Sequence, residues 1–342
     1  MTRRENKKFI IKVSLAALAM FLLVALGLFL LHYWEAKSNA GNEVEIEGQE
    51  SSGYLIIDGK KYAPKPVKTV LLIGIDKFAA ELQTDSYNNQ QQCDFLLLMV
   101  IDPVNRICTP LQINRDTIAP VTALSVSGEP IGLIDEQIAL SHTYGSGKED
   151  SCENTVRSVS AILMDQTIDH YFSVTMDAVQ MLNDLVGGVT VSVEDDFSNI
   201  DDTLILGEEV TLLGPHALTF VRSRASLEDS TNLSRMERQR QYLSGLRQKT
   251  VAAMEDDVGF AVDTLLEISP YMVSDCTVNQ LAEIADAVAK YEMQPIQTLQ
   301  GEAIKGAEYI EYYLDDEARF NTVASLFYDE VVEYKNGKRL PR

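Results

Sequence analysis

The sequence predicts a mixed α/β domain, with a central β-sheet flanked by helices, carried on one N-terminal transmembrane helix. Three observations predict it. Val13 to Leu31 is a run of nineteen uncharged, mostly apolar residues. Val70–Ile75 is a continuous apolar run, as expected for a strand covered on both faces. Beyond it, strand-like runs alternate with helical periodicities and no internal repeat interrupts them, which favours one domain over several.

The membrane segment follows from dimensions. A helix rises ~1.5 Å per residue and the hydrocarbon core is ~30 Å thick, so the run is long enough to span. Arg3, Arg4, Lys7, Lys8 and Lys12 precede it and only Glu5 opposes them, which keeps residues 1–12 in the cytoplasm. Tyr33 and Trp34 close the span as interfacial aromatics, giving a helix over 13–34. The rival is a cleaved signal peptide, with Ser38-Asn39-Ala40 as a weak processing site, but the apolar run exceeds a usual signal core. Either way the remainder is exported. The expected location is the cell membrane, single-pass, with the domain extracytoplasmic.

Charge excludes some partners. The chain carries −22; residues 1–12 carry +4, leaving −26 for the rest. Such a surface repels nucleic acid. Cys93, Cys108, Cys152 and Cys276 form no CxxC element and the four histidines are scattered, which argues against a zinc site. Four thiols are too few for a disulfide-built fold, so an ordinary hydrophobic core must hold it. A Cys93–Cys152 disulfide bracing the neighbouring Asp94 is one pairing to test.

Element by element, 35–66 reads as a polar stalk ending in a small hairpin, Tyr54–Ile57 and Lys60–Tyr62 around Asp58-Gly59. Strands follow at 70–76, 95–101 and 106–113, the last two joined antiparallel by Asp102-Pro103-Val104-Asn105. Helices are expected at 131–142 and at 153–164, the latter capped by Asp150 or Ser151. A strand at 171–175, a helix at 177–185 and a strand at 188–193 come next. A short helix starts at 217 after Gly214-Pro215, and a long one covers 233–254. Residues 258–291 read as helical with a break near Pro270. Two short strands lie within 298–314, and a last helix runs over 317–334. The core is taken as 67–250, with 251–342 its C-terminal, mostly helical part.

Four stretches carry chemistry. Asp76 ends a buried strand, where ligands bind in open α/β sheets. Asp94 starts the next strand. Arg115 and Asp116 stand where the third ends. Arg222 and Arg224 precede a helix on which Arg235 and Gln239, four apart, share a face. Paired carboxylates can hold Mg²⁺ and bridge it to phosphates, and guanidinium forks match phosphate oxygens. The pattern fits a compact polyanion such as a pyrophosphate. Other residues take a structural reading: His142 as a buried structural group, Asp195, Asp196, Asp201 and Asp202 as solvated loop acids, Met176 and Met181 as core or groove lining.

These stretches, in this order, resemble the LytR-CpsA-Psr family of cell-envelope proteins. The segments are VLLIGID, CDFLLLMVIDP, QINRDT, LSHTYGSG, NDLVGGVTVSV, GPHALTFVRSR and NLSRMERQRQYL, behind a membrane anchor. The resemblance covers about 67–250. It implies a phosphotransferase that moves a glycopolymer, such as teichoic acid or capsule, from an undecaprenyl-pyrophosphate carrier to peptidoglycan. It implies Mg²⁺ (or Mn²⁺) on Asp76 and Asp94. Arg115, Asp116, Arg222 and Arg224 are then catalytic, Arg115, Arg222, Arg224, Arg235 and Gln239 hold substrate, and an apolar groove holds the lipid. Asp94 and Asp116 both stand as the proton acceptor. Three departures from the family pattern stand out: Gln92 where an arginine is usual, Asn114 where a proline is usual, and a long 77–93 loop suited to a lid. Alternatives are a lipid-pyrophosphate hydrolase, a non-catalytic scaffold binding lipid-linked precursor, and a transcription attenuator, which a cytoplasmic tail of twelve residues disfavours. The product distinguishes the first two: free polyprenyl phosphate without adduct, or binding without turnover.

Overall fold

A computed structural model describes residues 55–57, 60–81, 89–125, 127–223, 232–257, 259–306, 309–331, 334–335 and 338–339. No helix among these residues is long and apolar enough to cross a membrane. The expected tail, span and stalk up to residue 54 lie outside them.

β1 (Leu55–Ile57) and β2 (Lys60–Pro64) form the expected antiparallel hairpin. β3 (Lys68–Ile75), β4 (Cys93–Asp102) and β5 (Ile107–Ile113) form an antiparallel meander. The β4–β5 turn closes on Asp102, whose carboxylate accepts from Val104 N at 3.0 Å and Asn105 N at 2.9 Å. β6 (Ile118–Leu124) and β7 (Pro130–Gln137) form a second hairpin, Ile118 opposite Gln137. This corrects the helix expected over 131–142, of which only a 3₁₀ turn, Ile138–Thr143, is helical. Ile131, Ile134 and Ile138 imitate a helical stripe, but Gly132 holds φ +144° and the segment is paired to β6 along its length.

α1 (Glu149–Ile162) starts four residues before its expected first turn. Asp150 and Ser151 lie inside it and close the preceding loop. Asp150 accepts from Ser146 N at 2.8 Å and Ser146 Oγ at 2.6 Å, and Ser151 Oγ accepts from Gly147 N at 2.9 Å. β8 (His170–Val174), α2 (Met176–Leu185), β9 (Val189–Ser192), β10 (Glu209–Leu212), α3 (Pro215–Arg222) and α4 (Leu233–Asp256) follow close to expectation, although β10 had not been foreseen. The 258–291 stretch resolves into α5 (Phe260–Ile268), an unforeseen β11 (Met272–Ser274) and α6 (Val278–Lys290), with a Thr277–Gln280 capping box. β12 (Glu292–Met293), β13 (Gln297–Thr298) and the hairpin β14 (Gly301–Lys305) and β15 (Ile310–Leu314) lead to α7 (Asp316–Phe327). The last helix ends there. The chain continues as β16 (Tyr328–Glu330), which pairs with β2.

The central sheet has the order β11-β8-β3-β4-β5-β12, with β13 also on β5. β8 runs parallel to β3, β12 and β13 parallel to β5, and the other pairs are antiparallel. Side chains alternate between its two faces. Leu71, Ile73, Leu96, Leu98 and Leu111 pack towards Val159 and Ile162 of α1 and Val323, Leu326 and Phe327 at the end of α7. Val70, Met99 and Ile101 face the other way, towards Ala287 of α6. A separate cluster joins the β9–β10 hairpin to α3 and α4 through Val189, Val191, Phe220 and Tyr242. The four cysteines are free thiols, so the Cys93–Cys152 bond is not formed. Cys93 Sγ instead donates to the Ile138 and Ala139 carbonyls at 3.4 Å. Burial pushes its thiol up to about 11 and that of Cys152 to about 12, so both are poor nucleophiles.

Candidate active site

Three strand ends meet at one edge of the sheet. Asp76 follows β3, Asp94 is the second residue of β4, and Arg115 and Asp116 follow β5. The β3–β4 register shifts between Gly74, opposite Phe95, and Ile75, opposite Cys93, so Asp94 is the extra residue of a bulge. The pairing continues past it, with Asp76 N donating to Gln92 O at 3.1 Å and Gln92 N to Asp76 Oδ1 at 3.2 Å. Asp76 Oδ2 has no bond among the described residues.

Asp94 is the centre of the arrangement. Arg115 Nη1 donates to its Oδ1, and Arg235 Nη1 donates to its Oδ2 at 3.2 Å. Both guanidinium groups are nearly buried, with side-chain exposures of 8% and 3%. Arg115 also pairs through Nε with Asp116 Oδ1 at 3.3 Å, and its Nη2 donates to Gln92 Oε1 at 2.7 Å. The residue that replaces the usual arginine is thus an acceptor that aims Arg115. Asn114 has a comparable part: its Oδ1 accepts from Asp116 N at 3.0 Å and from Asn232 Nδ2 at 3.1 Å. It holds the Arg-Asp loop and ties it to the N-cap of α4.

α4 presents one buried stripe at its N-terminal half: Arg235, Arg238, Gln239 and Tyr242, the i, i+3, i+4, i+7 spacing of a single face. Gln239 Oε1 accepts from Gln112 Nε2 at 3.0 Å, and its own Nε2 donates to Val221 O at 3.3 Å. Gln239 therefore joins α4 to β5 and α3, and its side chain is committed to protein. Arg238, not singled out from sequence, is buried and donates through Nε to Phe220 O at 2.9 Å, and also to Ser223 O and Asp195. It fixes the end of α3. Asp195 is hence the partly exposed partner of a buried arginine rather than a freely solvated acid. Asp201 is corrected likewise: it binds Thr203 Oγ1 at 2.6 Å and His216 Nδ1 at 2.5 Å.

Arg222, the last residue of α3, is exposed, donates to Asp76 O at 3.3 Å and stands over the Phe78 ring at 6.0 Å. The helix thus delivers one exposed guanidinium to the aspartate edge. Arg224 lies outside the described residues, as do positions 82–88 of the expected lid. The end of that loop is anchored: Asn89 Nδ2 donates to His142 O, Gly145 O and Ser151 Oγ at 2.9–3.0 Å. His142 is structural, buried and hydrogen-bonded to Gln91 O at 3.0 Å, and burial pushes its pKa down to about 4. Two more residues support the site without a sequence signal. Gln137 Nε2 donates to Asp116 Oδ1 at 3.2 Å and to Ile310 O at 2.7 Å, and Tyr312 N donates to Asp116 O at 2.8 Å. They bring the β14–β15 hairpin against the Arg115-Asp116 loop.

Next to this edge a cavity of about 1140 Å³ opens between the sheet and α4. Leu72, Leu97, Met99, Val251, Val288 and Met293 contribute its apolar walls. Ser234 and Arg238 line its polar part, so the α4 turn that carries Arg235 to Asp94 also borders the cavity.

The LytR_cpsA_psr family profile matches residues 30–325. The chain belongs to that family. Among relatives, the polyisoprenyl-teichoic acid–peptidoglycan teichoic acid transferase TagU of Bacillus licheniformis is 24% identical over 325 residues, 94% of this chain and 96% of its own length. TagU of Enterococcus faecalis is 24% identical over 281 residues, 82% and 83% of the two chains. The structure described as TagT bound to LI-WTA superposes with a TM-score of 0.58 at 20% identity, covering 76% of this chain and 89% of that one. Bacillus subtilis TagV superposes at 0.56 and 22% identity, covering 77% and 96%. The mixed sheet with its flanking helices is therefore the fold shared by these LytR_cpsA_psr structures.

Proposed function

We propose that this chain transfers a glycopolymer, with its phosphate, from a polyisoprenyl-pyrophosphate carrier to peptidoglycan outside the membrane, anchored by residues 13–34. The observation that carries the reading is the convergence of Arg115 and Arg235 on Asp94 beside an apolar cavity, in a chain of this family. Polyisoprenyl-linked teichoic acid and peptidoglycan are the substrates in the relatives' names.

The chemistry suits the parts. A sugar hydroxyl of the acceptor attacks the phosphorus that carries the polymer. A new P–O bond forms, the pyrophosphate bridge breaks, and polyisoprenyl phosphate leaves. Negative charge grows on the leaving phosphate, and guanidinium groups fixed beforehand stabilise it without reorganising. We assign this role to Arg115 and Arg222, and to Arg224, which lies outside the described residues. Arg235, next in sequence to Ser234 on the cavity wall, holds Asp94. The isoprenoid lies along the apolar walls, where burial is worth ~25 cal/mol per Å². The proton of the attacking hydroxyl goes to Asp116, whose Oδ2 makes no bond among the described residues, whereas both Asp94 oxygens are held by arginines.

The donor set fits a hard divalent cation. Asp76 offers an unengaged carboxylate oxygen, and Asp94 is the second carboxylate at the same strand edge. Mg²⁺ prefers such oxygen ligands with phosphate completing its shell. Bound there, it would supply Lewis-acid neutralisation of the diphosphate. The test is transfer by Arg115→Ala and Arg222→Ala. Loss of product in both, with folding intact for Arg222→Ala, supports the pocket. Transfer retained in either contradicts it.

A further inference from the structure

At the far end of the sheet from this site, His170, Asp275 and Cys276 bring three different donors within 4.8 Å of one another. The topology puts them there. β11 runs antiparallel to β8, with Ser274 opposite Phe172. Continued one and two residues past that pair, the same register brings Asp275 to Tyr171, whose N donates to Asp275 Oδ1, and Cys276 towards His170. His170 pairs with Val70 on β3, and six residues of strand separate Val70 from Asp76, roughly 20 Å. The cluster is therefore distinct from the phosphate-handling edge.

We propose that His170, Asp275 and Cys276 form a zinc-class metal site that clamps β8 to β11 and the start of α6. The donors are an imidazole nitrogen, a carboxylate oxygen and a thiol sulfur, a mixed set that zinc accepts in tetrahedral sites and magnesium does not. Supporting bonds are in place. Asp275 Oδ1 accepts from Tyr171 N at 2.9 Å, which fixes the carboxylate and leaves Oδ2 facing His170 Nδ1 at 3.4 Å. The other imidazole nitrogen, Nε2, accepts from Gln280 Nε2 at 3.0 Å, so ligation through Nδ1 moves the ring proton to Nε2 and turns the Gln280 amide away from it. Cys276 N donates to Ser274 Oγ at 3.1 Å, and Ser274 Oγ donates to Tyr171 O at 2.7 Å, which locks the thiol's backbone to the strand pair. Cys276 is also the one cysteine of the four that is only half-buried, so an ion can reach it. Three protein ligands leave a fourth position for water. Binding replaces the thiol proton with the ion and ties the end of the β8–β11 ladder to the start of α6.

The full chain, purified in detergent and stripped with a chelator, is titrated with Co²⁺ and then with Zn²⁺. A thiolate-to-cobalt charge-transfer band that Zn²⁺ abolishes, and that is absent in Cys276→Ser, is the expected result; an ion on the Asp76–Asp94 edge gives no such band. Zn²⁺ affinity falls about tenfold or more in His170→Gln and in Asp275→Asn, and glycopolymer transfer by Cys276→Ser stays at the wild-type rate. No band in the wild type, or a band that survives Cys276→Ser, overturns the site. Two separate variants and a spectroscopic signature keep the result independent of any one variant's folding.

Discussion

The Gln92 side-chain carbonyl accepts a 2.7 Å hydrogen bond from Arg115, the same guanidinium that binds Asp94. A position where the family usually carries a cation here carries the acceptor that aims one. Gln92→Leu keeps the bulk and removes that acceptor. Leaving a nearly buried charged donor without it costs about 1–3 kcal/mol, read as a lower urea midpoint. Misaimed, Arg115 should lower transfer by about ten- to hundredfold. Gln92→Glu retains the acceptor and should keep the midpoint within about 0.5 kcal/mol of wild type.

Arg222 and Arg238 separate function from stability. Arg222 is exposed, so Arg222→Ala should leave the thermal midpoint unchanged while transfer falls by at least about a hundredfold. Arg238 is buried against Asp195 and two carbonyls. Arg238→Ala leaves those oxygens and that partly exposed acid without their donor and should cost about 1–3 kcal/mol. Chemical denaturation of both variants beside their activities checks the contrast.

His142 sets an acid limit. Its folded pKa of about 4 lies below its ordinary 6.5. Between those values the unfolded chain binds a proton that the folded chain refuses, so stability rises with pH across the window and is lost as pH falls from 6.5 towards 4. The full difference is about 3 kcal/mol. Denaturation midpoints of wild type and His142→Asn at pH 4.5 and 7.5 measure it. The variant starts lower and should lose less on acidification.

Chelation separates the two proposed metal sites. EDTA should stop transfer, and Mg²⁺ alone should restore it, because oxygen ligands at Asp76 and Asp94 suit it. Zn²⁺ added instead should raise the melting temperature without restoring transfer, through stabilisation of the folded state by binding.

The central meander was legible because a strand buried on both faces writes an unbroken apolar run, as Leu71–Ile73 and Leu96–Ile101 do. The β6–β7 hairpin was not, since its isoleucine spacing is helical and its partner strand supplies the deciding bonds. The site residues were legible as types at strand ends. Their mutual arrangement was not, because Arg235 and Asp94 stand 141 positions apart and only the packing of α4 joins them. Arg238 and Asp195 hid for the same reason: in sequence, one is a charge on a polar helix and the other a loop acid.

The most direct measurement incubates the purified full chain with a synthetic polyprenyl-pyrophosphate oligosaccharide, peptidoglycan fragments and Mg²⁺, and identifies products by mass spectrometry. The account predicts oligosaccharide phosphate covalently joined to the fragment, with one polyprenyl phosphate released per adduct. Polyprenyl phosphate released without adduct, or no turnover despite bound lipid, would contradict it.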